Sequence, residues 1–116
     1  MFHEFVSVDN YVEVEDILDV LEYIKKKIYN ISSSIKIDDD IVQIIMLDKK
    51  VNTPHGVEFN YWGITIINGE AIEKWIDIIN GSYSQFTGKT RKQIKALKRV
   101  FVDAKNTNKT IIHLGI

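Results

Sequence analysis

Between Val12 and Tyr29 the apolar residues Val14, Ile17, Leu21, Ile24 and Ile28 recur at helical spacing, while Glu15, Asp19, Glu22 and Lys26 project from the other side. A helix of this kind buries one stripe and wets the opposite one, so the rest of the chain must supply an apolar surface for it to lie on. Early acids and the late Lys25, Lys26 and Lys27 suit the helix dipole. Short strand-like segments supply the surface. Phe2, Phe5, Val6 and Val8 predict a first strand that Asp9 and Asn10 end.

After the helix, Ser32, Ser33 and Ser34 break the pattern, Ile35 and Ile37 alternate briefly, and Asp38, Asp39 and Asp40 read as a turn. The apolar run from Ile41 to Leu47 predicts a buried strand. Residues 48–56 carry turn residues, and 57–67 predict either one strand bulged at Gly63 or two short ones. Asn68 and Gly69 close it. Ile72, Trp75, Ile76 and Ile79 mark a short helix stopped by Gly81, and a polar loop runs from Ser82 to Gly88. A last helix from Thr90 to Lys105, with Ile94, Leu97 and Phe101 as its stripe, leads to a strand over Thr110–Leu114. The expected fold is α+β, one domain over residues 1–116, in the order β-α-(β)-β-β-α-α-β, with a mainly antiparallel sheet packed by three helices.

Composition narrows the chemistry. The 116 residues are 45% hydrophobic and 27% charged, which fits a globular domain and argues against disorder. The absence of cysteine excludes disulfides, thiolate zinc sites and cysteine nucleophiles. The opening residues lack the basic and apolar regions of a signal peptide, and no run approaches the ~18 apolar residues of a membrane span, so a cytoplasmic protein without membrane contact is expected. Lysine outnumbers arginine thirteen to two and isoleucine is abundant, a bias that fits an AT-rich bacterial genome.

Net charge is only −1, yet it is segregated. Residues 1–88 hold fifteen acids against seven lysines, for −8, and residues 89–116 hold eight bases against Asp103 alone, for +7. Such asymmetry points to partner contacts. Glu15, Asp19 and Glu22 on the first helix, with Asp38, Asp39 and Asp40, form the candidate acidic surface. Carboxylates on a rigid helix can stand in for nucleic-acid phosphates and neutralise a basic cleft. Arg91, Lys95 and Arg99 fall four apart with Lys92 beside them, a stripe that suits phosphates but offers little for reading bases.

Catalytic and metal motifs fail in turn. Phe86-Thr87-Gly88-Lys89-Thr90 resembles part of a phosphate-binding P-loop, but Tyr83 stands where a glycine is needed and an amphipathic helix precedes it in place of a strand. A loop capped by Thr90 is the simpler reading. His3, His55 and His113 are scattered singly, with His113 expected to face solvent or make a hydrogen bond. Asp38, Asp39 and Asp40 lack the further oxygen ligands of a calcium loop. No nucleophile and base can be paired, so neither an enzyme nor a cofactor or metal is expected.

The ending Val100-Phe101-Val102-Asp103-Ala104-Lys105, followed by Asn106-Thr107-Asn108 and Ile111-Ile112, resembles the last helix and strand of barstar-like ribonuclease inhibitors, as does the opening strand-then-helix order. The middle departs from that pattern, so no inhibitory residue carries over. In type the chain is similar to small bacterial toxin-immunity proteins. The resemblance implies a non-catalytic inhibitor that binds a cognate toxin, a nuclease for example, through its acidic face. The alternative is a nucleic-acid-associated accessory protein that uses the basic helix. Oligomeric state is left open.

Overall fold

A computed structural model describes residues 1–46 and 57–115. The chain runs β1 (Phe2–Val8), α1 (Ile17–Lys25), β2 (Ile31–Asp38), α2 (Asp39–Met46), β3 (Ile64–Ile67), α3 (Glu70–Ser82), a 3-10 turn at Tyr83–Gln85, α4 (Gly88–Asn106) and β4 (Thr110–Leu114). The four strands form one antiparallel sheet in the order β2-β1-β4-β3, so the fold is α+β.

Strand alternation sorts the sheet into two faces. Val6, Val8 and Ile112 face α1 and pack with its Val20 and with Tyr29. Phe5, Ile37 and Ile111 face the other way, into the larger core built with α2, α3 and α4 around Trp75, Leu97 and Phe101. Among the described residues one helix therefore covers one face of the sheet and three cover the other.

Among the described residues four helices, not three, pack the sheet, because residues 41–46 are helical where a buried strand was expected. Ile41, Val42, Ile45 and Met46 are all buried, while Gln43 and Ile44 point outward. That spacing is one face of a helix, and Asp39 and Asp40 in its first turn complement the dipole. The acidic triplet is consequently not a turn: Asp38 ends β2 and the next two residues open α2.

The brief alternation at Ile35 and Ile37 belongs to a full strand that begins at Ile31 and takes in the three serines. Residues 57–63 are not a strand, yet their alternation holds for burial: Val57, Phe59 and Tyr61 all enter the core. The expected turn at 48–56, with His55, lies outside the described residues.

Helix α1 is shorter than its periodicity predicted. The Asp16 side chain accepts from the Leu18 amide 3.0 Å away and starts the helix there, leaving Ile17 half-exposed. At the other end the Ile28 amide reaches the Tyr23 carbonyl and the Lys27 amide reaches that of Ile24, which makes a Schellman motif with Lys27 at φ 57°. Helix α4 closes in the same way, with Asn108 at φ 54°. Asparagine tolerates that conformation and lysine does so less well. Lys27→Gly is therefore expected to raise stability by up to ~1 kcal/mol, read as an upward shift of the urea midpoint. Thr87 precedes α4, and the Thr90 hydroxyl donates to the Thr87 carbonyl at 2.6 Å, so Thr90 lies within the helix and is not its cap.

Candidate functional site

Each candidate charge sits on an element whose place in the layers is now fixed. Glu15 directly precedes α1, and Asp19 and Glu22 lie on it. Glu13, Glu15, Asp16 and Glu22 are exposed and Asp19 is half-buried. Glu22 makes a solvent-exposed pair with Lys26 at 3.8 Å, which contributes little to stability. Asp9 belongs elsewhere: it pairs with Lys109 at 3.1 Å, and bonds from Ser32 and Lys109 hold its carboxyl below the usual range.

The structure does not gather all six candidate carboxylates into one patch. Helix α2 and the end of β2 border the larger core, so Asp38, Asp39 and Asp40 sit with the α4 side of the sheet and not with α1. Asp38 is engaged by α4, its carboxylate accepting from Gln93 Nε2 at 2.9 Å while its amide donates to Gln93 Oε1 at 3.1 Å. Asp39 turns inward. Its carboxylate accepts from the Tyr61 hydroxyl, from His3 Nε2 at 3.0 Å and from Gln43 Nε2 at 2.6 Å. Asp40 alone of the three is exposed.

From Asp39 a polar chain crosses the core. His3 and His113, the first near one end of β1 and the second on β4, are both fully buried, with Nδ1 of His3 2.8 Å from Nε2 of His113. Nδ1 of His113 lies 3.3 Å from the Thr65 hydroxyl on β3, which also accepts the Asn60 amide at 2.8 Å. One proton arrangement satisfies every group without a buried imidazolium. Thr65 donates to His113, His113 donates to His3, and His3 donates to the Asp39 carboxylate. Burial holds both imidazoles neutral, pushing His113 down to about 3 and lowering His3 despite the opposing pull of Asp39. Burial raises the Tyr61 phenol, with Asp39 adding to it, to about 12. The Asp39 carboxyl is pushed up by burial, but the bonds from Tyr61, His3 and Gln43 outweigh that and leave it lowered.

Sequence reasoning missed this network, since its members lie up to 110 residues apart. A signal was present nonetheless. His3 shares a strand face with Phe5, and His113 shares one with Ile111, so both point into the core. Both rings are shielded from water, and the arrangement acts on stability and on the placement of Asp39.

The basic stripe is real in space. Lys92, Lys95 and Arg99 are exposed along α4, and Lys95, Lys98 and Arg99 line a shallow groove of about 340 Å³ with Tyr83 and Val102. Arg91 is partly covered, its guanidinium lying 4.7 Å from the centre of the Tyr83 ring. Because α1 and α4 occupy opposite faces of the sheet, the acidic and basic helices face apart.

No protein-family model matches the sequence, and no curated protein is similar to it. Among solved structures the chain is similar to the Neisseria DNA mimic protein DMP12, at 14% identity and a TM-score of 0.52, over 98% of this chain and 99% of that one. At that identity the likeness concerns the fold. Among the described residues no group of three or more metal-ligating side chains converges, and no helix is long and apolar enough to cross a membrane.

Proposed function

We propose that this protein is a non-catalytic binding protein whose acidic α1 face occupies the nucleic-acid-binding surface of a basic protein partner. The observation that carries the reading is the placement of Glu13, Glu15, Asp16, Asp19 and Glu22 on one face of the sheet, with Lys25, Lys26 and Lys27 confined to the far end of α1 and the basic α4 on the other face. Carboxylates on a rigid scaffold present fixed negative charge at low entropic cost, and the screening sheet keeps α4 from cancelling it. The shared architecture with a DNA mimic supports the same reading. An immunity-type inhibitor of a nuclease toxin is the case in which the basic partner is an enzyme. Asp38, Asp39 and Asp40, on the other side of the sheet, take no part in that contact.

Converting Glu15, Asp19 and Glu22 to lysine is expected to slow association with a co-purified basic partner by about tenfold or more at low salt, with a smaller change in dissociation, because exposed charges act through steering. Stopped-flow kinetics at two salt concentrations measure this. An unchanged rate without salt dependence removes α1 from the interface.

A second reading rests on α4, where Tyr83 and the Lys95, Lys98 and Arg99 groove face away from the acids. It requires binding to arbitrary nucleic acid at low salt with a log-log salt slope of about three to four. Loss of that binding in Arg91→Glu and Lys95→Glu, with folding intact, would place it first.

A further inference from the structure

The sheet has two edges, and they are treated differently. β2, at one edge, carries Ser32, Ser33, Ser34 and Lys36 to solvent, and α2 and α4 pack along it. β3, at the other, reads Ile64-Thr65-Ile66-Ile67, with no charge and no proline to discourage pairing. The register fixes which backbone groups are open. The Gly115 amide donates to the Gly63 carbonyl at 2.6 Å, so Gly63, Thr65 and Ile67 turn their amides and carbonyls toward β4. Those of Ile64 and Ile66 therefore point outward, and no described residue pairs with them.

A groove of about 470 Å³ adjoins this edge, lined by Ile64 and Ile66 of β3, by Ile17 of α1, and by Glu58 and Asn60. Ile17 and its neighbour Leu18 are half-exposed or more, which offers apolar contact for alternate side chains of an added strand. Among the described residues the charges in the groove's lining or beside Ile17 in the chain are negative: Glu58 in the lining, and Glu15 and Asp16 just before Ile17.

We infer that the outer edge of β3 accepts an extended cationic segment of the protein partner as a fifth antiparallel or parallel strand. The outward groups of Ile64 and Ile66 supply the main-chain hydrogen bonds, the groove takes apolar side chains, and the carboxylates of Glu15, Asp16 and Glu58 take alternating lysines or arginines. A second copy of this chain is a poorer occupant. A two-fold pairing of β3 with itself would set these acids against their own copies. The inference rests on the acidic-face reading and adds the mode of docking.

The probe is a synthetic peptide of alternating lysine and valine, titrated into the full chain, with a version N-methylated at alternate residues and a glutamate-valine version as controls. Binding is expected for the lysine peptide, with amide exchange of Ile64 and Ile66 slowed at least about tenfold. N-methylation is expected to weaken binding at least about tenfold, or 1.4 kcal/mol. The glutamate peptide is expected not to bind. Equal binding of the N-methylated peptide, or no protection of Ile64 and Ile66, overturns strand addition. If charge reversal of Glu15, Asp19 and Glu22 still slows the basic partner in that case, the acidic-face reading survives without the groove. Undiminished protection in the reversed variant supports pairing at the edge but overturns the part assigned to Glu15, leaving Asp16 and Glu58 as the carboxylates that meet the cationic segment. Protection in the protein alone that rises with its concentration would overturn the cationic segment in favour of a second copy.

Discussion

Lowering the pH from about 7.5 to about 5 is expected to remove about 2 kcal/mol of stability through His113 alone. In the folded protein burial depresses this imidazole to about 3, so it stays neutral across the interval, whereas in the unfolded chain it takes up a proton below its ordinary value. The unfolded state therefore binds more protons, and acid favours it. The contribution is complete above about pH 6.5 and is lost progressively as pH falls toward the folded value. His3, also lowered by burial, acts in the same direction. Asp39, held below the usual carboxylate range, extends the loss once the pH drops under that of a free aspartate. Urea unfolding at the two pH values measures the effect. His113→Gln is expected to flatten the difference, leaving the part due to His3, and an undiminished difference in that variant would assign the acid sensitivity elsewhere.

Asp39→Ala is expected to cost about 3 kcal/mol, and Asp40→Ala no more than about 0.5 kcal/mol. The two residues are adjacent and chemically identical, so the contrast isolates what their side chains touch. Removing the Asp39 carboxylate leaves the His3 Nε2–H, beyond the reach of water, without its acceptor and takes one bond from the Tyr61 hydroxyl and one from the exposed Gln43 amide. Truncating Asp40 exposes nothing. Equal, small losses for both would mean that the buried chain from Thr65 to Asp39 contributes little, and denaturant midpoints of the two variants decide it.

Much of the fold was legible because local signals and tertiary placement agree. β1, β4, α3 and α4 emerge from strand alternation or from stripes such as Ile94, Leu97 and Phe101, all of which are buried. The misreading of Ile41–Met46 has a definite cause. Eight residues make barely two helical turns, and a β-branched run over so short a length carries both the strand composition and the helical spacing. The serines of β2 mislead for another reason: they lie on an edge strand with solvent beside them, where polarity costs nothing. Charge segregation along the chain marked the acidic and basic blocks, but neither the separation of the α1 and α4 faces nor the fate of the triplet could be read from it, because both depend on which face of the sheet each helix covers. Nothing local to Asp38, Asp39 and Asp40 says that Gln93 engages the first and that His3 from the opening strand turns the second inward.

The order β2-β1-β4-β3 sets a schedule for synthesis. β1 and β2 emerge early and can pair at once, but β3 has no place in the sheet until β4 is laid between it and β1, and β4 leaves the ribosome about a hundred residues after β1. Until then the apolar edge of β1 and both edges of β3 are open, and His3 lacks its ring partner. Both joins fall on the same strand, since Ile112 sits opposite Val6 on one side and Ile66 on the other. A nascent chain halted before Thr110 would therefore lack the strand that connects the β1–β2 pair to β3.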